Sequence, residues 1–312
     1  MSIVLACAFP EAAIILCDSR VSDGSSTRRS DILRKTYGLS PLLAVGFASN
    51  DVVVTEKIIA AMTDYVENYA ESKNTRYLLS KLPKVAAYYY QKFCASKKEK
   101  SRMEFIFAGI DPTVSAIVSG KKLLEMFKRA LAFRSGGSGS VSSRFLWGME
   151  RQKGDAMPLP PPAAIVGKLV FPGNIYEDAA GLGYAVAGSD IKAAEKLQRA
   201  FEQAIIVGSD SEVIRQAMIA SIIEDHRKQR QVDTIGGLTQ TLLISEKGIS
   251  ALGYSYTAIN RDGSKGDSIS MRFENGYWVQ ERSRDGKQIK VSKLPAKIGW
   301  NVKFEAGLLD KI

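Results

Sequence analysis

The first residues of the chain admit few architectures. Residues 3–8 and 12–17 are almost continuously apolar, and Phe9-Pro10-Glu11 separates them. Short runs rich in Ile, Val, Leu and Ala, bounded by a turn, predict two buried strands joined as a hairpin. Most soluble chains leave a few polar, frayed residues at the start. Here Ile3, Val4 and Leu5 follow Ser2 at once, so the amino terminus is expected to enter a core. A small hydroxyl residue at position 2 then sits on a rigid element. The second strand runs straight into Asp18-Ser19-Arg20.

Beyond the hairpin, residues 42–48 (LLAVGFA) predict another buried strand. Asn50-Asp51 caps an amphipathic helix over 51–72, and a second helix is expected over about 77–96, with Pro83 implying a kink or a late start. MEFIFAGID predicts a strand ending in a turn. Residues 113–162 differ in kind: a cationic amphipathic stretch (LLEMFKRALAF) is followed by Gly-Ser-rich and Pro-rich segments, which reads as an insertion carrying one helix. Order resumes with IVGKLVFPG and GLGYAVAGSD, then helices over 191–206 and 212–228. TQTLLISEKG and ISALGYSYTAI predict a hairpin about Glu246-Lys247-Gly248. The domain reading is therefore 1–267 with an insertion, followed by a C-terminal extension over 268–312 with expected strands ISMRF and GYWVQERS.

Helices that arrive in consecutive pairs argue against an alternating βαβ fold. They fit helix layers over the outer faces of packed antiparallel sheets. The predicted fold is α+β, a four-layer αββα sandwich. The apolar excess on the first helix (Ile58, Ile59, Met62 and Tyr65, with Val53 and Val54 nearby) further predicts a homo-oligomeric contact, a ring being the expected form.

Composition excludes several classes. At 312 residues and 45% apolar content the chain can bury a sizeable core. No uninterrupted apolar run approaches the roughly 18–20 residues needed to span a bilayer. The start lacks the basic region of a secretory signal. Three scattered cysteines make no disulfide framework, so a cytoplasmic location is expected. The net charge of +10 is spread along the chain, and its one local run, 97–102, reads as a solvated helix end, so neither nucleic acid nor membrane is an expected partner. No CxxC, HExxH or P-loop pattern occurs, and neither metal nor cofactor is expected.

The single histidine, His226, lies in a charged helix end, which leaves a Ser-His-Asp mechanism without support. Cys7 and Cys17 fall inside apolar strands and read as small core fillers. A hydroxyl nucleophile needs no histidine if it belongs to the chain's first residue. Its own α-amine, with a reference pKa of about 7.7–8.0, then serves as the base. A nearby lysine keeps that amine neutral and lowers the hydroxyl pKa, and a carboxylate holds the lysine. Ser2, Asp18 and Lys35 supply such a set.

On these residues the chain resembles the proteasome β-subunit family and its bacterial relatives, peptidases of the N-terminal-nucleophile hydrolase class. The family's Asp-Ser-Arg at the end of the second strand matches Asp18-Ser19-Arg20, followed by Ser22 and Gly24. The family lysine falls on Lys35 if the loop carries one inserted residue, and on Arg34 if it does not. LLAVGFASND matches the strand before the family's first helix, with Ser49 where the oxyanion-hole glycine is expected. AVAGSDIKAAEKL is similar to the family's Gly-Ser turn and puts Ser189 at the supporting-serine position. The last motif departs: Gly236-Gly237 are present, but Ile235 and Val232 replace the family's serine and aspartate, and Asp233 substitutes only in a loop one residue shorter.

The resemblance implies a hydrolase of peptide or amide bonds. Ser2 would be the nucleophile after loss of Met1, Lys35 would lower its pKa, and Asp18 would hold Lys35. Backbone N–H groups near Ser49 would bind the oxyanion. Lys35 is expected to be retained for its charge rather than for packing, so its removal should abolish activity with little loss of stability. Peptide or protein substrates are the implied partners, and no ATPase or activator is specified. The alternative is a catalytically inactive, ring-forming scaffold or regulatory relative that keeps Met1.

Overall fold

The computed structural model describes residues 3–8, 12–19, 21–22, 29–30, 33–97, 100–112, 164–180, 183–188, 239–259, 263–275, 277–295 and 300–311. The opening hairpin is β1 (Ile3–Ala8) and β2 (Ala12–Asp18), every described side chain of which is buried. The pieces β3 (Val21–Ser22) and β4 (Arg29–Ser30) pair with each other. Next come β5 (Thr36–Ser40) and β6 (Leu43–Ser49), then α1 (Val52–Asn68) and α2 (Thr75–Cys94). The central strands are β7 (Met103–Ile110), β8 (Ala164–Phe171), β9 (Ile175–Ala180) and β10 (Gly183–Gly188). After residue 238 follow β11 (Thr239–Ser245), β12 (Gly248–Ala251), β13 (Tyr254–Ile259), β14 (Lys265–Glu274), β15 (Tyr277–Arg284) and β16 (Lys287–Pro295). A 3₁₀ turn over Ala306–Lys311 closes the described chain.

Three antiparallel sheets result. The first has the order β10-β1-β2-β11-β12, the second β5-β6-β7-β8-β9, and the third β13-β14-β15-β16. The first two pack face to face through mostly small side chains: Val4, Ala6, Ala8, Ala13 and Ile15 meet Ala44, Ala48, Ile106, Ala108 and Val166. At Gly46 a Cβ would stand 2.8 Å from Val4 Cγ1 and 2.9 Å from Ile15 Cδ1, so only glycine permits this approach. Strand alternation turns the large residues Val45, Phe47, Phe105, Phe107, Leu169 and Phe171 to the opposite face, where α1 and α2 cover them. Asp51 caps α1 by accepting from Val54 N–H, and Asn74 caps α2 by accepting from Arg76 and Tyr77 N–H. Pro83 sits inside α2, which continues past it.

The expected four-layer αββα sandwich is not what the structure shows. Among the described residues both α-helices lie on the second sheet, giving one helical layer, and the remaining architecture is three antiparallel sheets. The layer count had depended on a second helix pair over 191–228, which lies outside the described residues, as does the 113–162 insertion. The strands β13 to β16 make a whole sheet of their own. ISALGYSYTAI, read as one strand, divides at Leu252-Gly253: β12 belongs to the first sheet and β13 to the third. Gly253 makes this crossing possible, because a Cβ there would lie 2.7 Å from the Met271 carbonyl oxygen. The expected boundary at 267/268 falls inside β14. Met271 and Trp278 join the core between the first two sheets, so the third sheet is packed onto the sandwich.

The helical layer carries a second difference. Of the residues whose apolar excess pointed to an oligomeric contact, Ile58, Ile59, Met62 and Tyr65 are 0–1% exposed within the single chain and Val54 is buried, while Val53 is 47% exposed. The C-terminal segment contributes to that cover: the Phe304 ring lies 4.9 Å from Tyr65 and 5.1 Å from Tyr69, and Leu308 joins the same cluster. Asp64 accepts from Lys303 Nζ (2.8 Å) and from Phe304 N–H (2.8 Å), and Trp300 Nε1 donates to Glu56 (2.9 Å). Glu305 is bonded by Tyr88 and Lys92. Among the described residues no helix is long and apolar enough to cross a membrane.

Candidate functional site

Asp18 closes β2 in the first sheet and Lys35 immediately precedes β5 of the second, and the two side chains meet. Lys35 Nζ lies 2.9 Å from Asp18 Oδ1, with the two side chains 1% and 0% exposed. The same Oδ1 accepts the backbone N–H of Ile3 at 3.1 Å. The pair is thus fixed to the first described residue of β1, immediately after Ser2. Removing either partner of such a pair would leave the other charge buried without compensation. Of the two basic residues it is Lys35, not Arg34, whose side chain is bonded to Asp18. Arg34 turns the other way, with Nε donating to the Thr36 carbonyl at 2.7 Å and its guanidinium 4.4 Å above the Tyr37 ring. Burial lowers the Arg34 pKa.

Lys35 is held by more than its charge. Its N–H donates to Gln240 Oε1 (2.9 Å), the Thr36 hydroxyl reaches the same oxygen (3.3 Å), and Gln240 Nε2 donates to the Leu33 carbonyl (2.7 Å). Phe47 N–H donates to the Lys35 carbonyl at 3.2 Å. One buried glutamine on β11 therefore fastens the 33–36 segment to the first sheet. These bonds hold the Lys35 backbone; its side chain is itself among the largest fully buried ones, which argues against the expectation that removing it costs little stability.

Ser49 ends β6, but its hydroxyl is committed to the start of α1: it accepts from Asp51 N–H (2.9 Å) and from the Thr55 hydroxyl (2.8 Å). Its side chain is not brought to the Asp18–Lys35 pair by any of these bonds. Ser2, Ser189, His226 and the 232–237 stretch lie outside the described residues. Cys7 and Cys17 are fully buried, and burial pushes both thiols well above the ordinary range, the Lys35 charge opposing it only in part at Cys17. Neither is poised as a thiolate. Among the described residues no cluster of three or more His, Cys, Asp or Glu side chains could hold a metal ion.

A second buried acid flanks β1 on its other side. Glu104 Oε1 accepts from Arg102 Nη2 (2.8 Å), and Oε2 lies 3.0 Å from Lys168 Nζ. Glu104 Oε2 also accepts, at 3.4 Å, from the N–H of Gly188, the cross-strand partner of Ile3 and the residue before Ser189. Lys168 Nζ donates in turn to the Val186 carbonyl at 2.7 Å. The paired residues Ile3 and Gly188 are thus each anchored by a buried carboxylate.

No family model and no curated protein matches the chain.

Glu104, Lys168 and Gln240 were absent from the sequence reading, yet each leaves a trace. Glu104 and Lys168 are each a lone charged residue inside an otherwise apolar strand (MEFIF and IVGKLVF), and Gln240 lies between two threonines at the start of TQTLLI. A polar side chain at a position that strand pairing must bury needs a partner. Which partner it finds is a tertiary matter.

Proposed function

We propose that the chain hydrolyses peptide or amide bonds with Ser2 as nucleophile, freed as the first residue by removal of Met1. The observation that carries this reading is the buried Asp18–Lys35 pair bonded to the N–H of Ile3, the residue after Ser2. The resemblance of Asp18-Ser19-Arg20 and its neighbourhood to proteasome β-subunits supports it. In this reading the Ser2 α-amine takes the hydroxyl proton as the oxygen attacks the substrate carbonyl. The Lys35 charge lowers the hydroxyl pKa and keeps the amine neutral, and Asp18 fixes Lys35. The tetrahedral intermediate collapses to an ester on Ser2 as the amine passes the proton to the leaving nitrogen. Water, deprotonated by the same amine, then releases the acid and restores Ser2.

The test is the mass of the amino terminus in purified full-length protein, with and without a serine-reactive acylating probe. Loss of Met1 and one acyl adduct on the residue-2 peptide are expected, with the adduct missing in Ser2→Ala. A terminus that retains Met1, or labelling that persists in Ser2→Ala, refutes the proposal.

A further inference from the structure

Most of the charge on the third sheet is neutralised in place. Arg272 pairs with Glu274 and Glu281, and Arg282 and Arg284 both reach Asp267. One corner is not balanced. Across the β15–β16 ladder Arg282 stands opposite Lys290, and Arg284 stands opposite Lys287. Like charges directly opposed destabilise a sheet. Among the described residues Asp267 is the one carboxylate in an ion pair with these four cations, and Lys287, Lys290 and Lys293 make no ion pair. Asp285, in the turn between Arg284 and Lys287, acts on Arg284 only through space.

The same strand is an edge. Among the described residues β16 is bonded only to β15, so its other side offers backbone N–H and C=O groups that no described strand pairs. Ile289 and Val291 are 52% and 42% exposed between the lysines. Lysines on an edge repel a second copy of that edge, but they attract a strand of opposite charge.

We propose that β16 is a docking edge for an extended acidic segment of a partner protein, which adds as a further strand. The register places Lys287 and Lys290 on one face of β16, opposite Arg284 and Arg282, and Val291 on the other. The partner's carboxylates would therefore meet Lys287 and Lys290, while its alternate apolar side chains lie on the face of Val291. Backbone bonds supply the attraction common to strand addition, and the side chains supply the selection. A nucleic acid fits this edge less well: its backbone cannot continue the ladder, and the exposed apolar residues along β16 are aliphatic, with no ring on which bases stack. The proposal is independent of the hydrolase reading.

Full-length protein is titrated with a fluorescein-labelled peptide of alternating Glu and Val, with anisotropy as the readout. Binding is expected to weaken about tenfold or more as salt rises from about 50 to about 300 mM. It should disappear when alternate peptide amides are N-methylated, a change that keeps the charge but blocks strand pairing. The double change Lys287→Ala and Lys290→Ala should lower affinity about tenfold while the thermal midpoint holds or rises, since both like-charge pairs are removed. Equal binding of the N-methylated peptide, tighter binding of oligothymidylate, or undiminished binding by the double variant overturns the proposal.

Discussion

Replacing Lys35 with methionine separates the structural and chemical roles of the buried pair. The substitution keeps an unbranched side chain of similar reach but leaves the Asp18 carboxylate 0% exposed and stripped of the Lys35 charge. Breaking a buried pair from one side costs about 3–5 kcal/mol. Domains of 150–250 residues lose about 2–4 °C per kcal/mol, so the melting midpoint should fall by roughly 6–20 °C. Asp18→Asn alone should cost about as much, because it strands the Lys35 ammonium, while its amide oxygen can still accept from Ile3 N–H. The double change Lys35→Met with Asp18→Asn removes both charges and keeps that acceptor. It should recover to within about 1–2 kcal/mol of the parent, and the difference from additivity is the coupling between the two charges. Urea unfolding of the four proteins measures the cycle, and cleavage or acylation of Ser2 measures the chemistry. Stability should return in the double variant and activity should not. A loss below about 1 kcal/mol in Lys35→Met, the range of a solvated surface pair, would refute the burial argument.

Three further outcomes follow from the packing. Phe304→Ala should cost about 3–5 kcal/mol and raise hydrogen exchange in α1, because the ring packs against Tyr65 and Tyr69. Burial alone would raise the Asp64 carboxyl, but bonds from Lys303, Phe304 N–H and Asn68 hold it below its ordinary value. Its folded pKa is thus below its unfolded one, so its stabilisation is present above about pH 4 and is lost as pH falls further. Trp300 fluorescence should report acid release of the C-terminal segment, and Asp64→Asn should flatten that titration. Gly253→Ala should cost about 1–3 kcal/mol in denaturant, since its Cβ would press on the Met271 carbonyl from 2.7 Å; a neutral result would contradict the close approach.

What the sequence determined by itself was local. Continuous apolar runs are enough to specify β1, β2, β6 and β7, since a strand that buries both faces has no other composition. Asn50-Asp51 and a helical period are enough for α1. The DSR at the end of β2 and a lysine beyond it were likewise readable as a candidate charge pair. Tertiary structure decided the rest. Whether Arg34 or Lys35 meets Asp18 depends on a loop whose register is set by Gln240, some 200 residues away in sequence. The number of layers could not be read from helix pairs, because element order does not say which face a helix covers. The apolar excess of α1 looked unpartnered until Phe304 and Leu308 came back across it. The physical reason is common to all three: periodicity and capping act over one or two turns of chain, whereas burial is satisfied by whichever distant segment arrives, and a single sequence carries no record of that pairing.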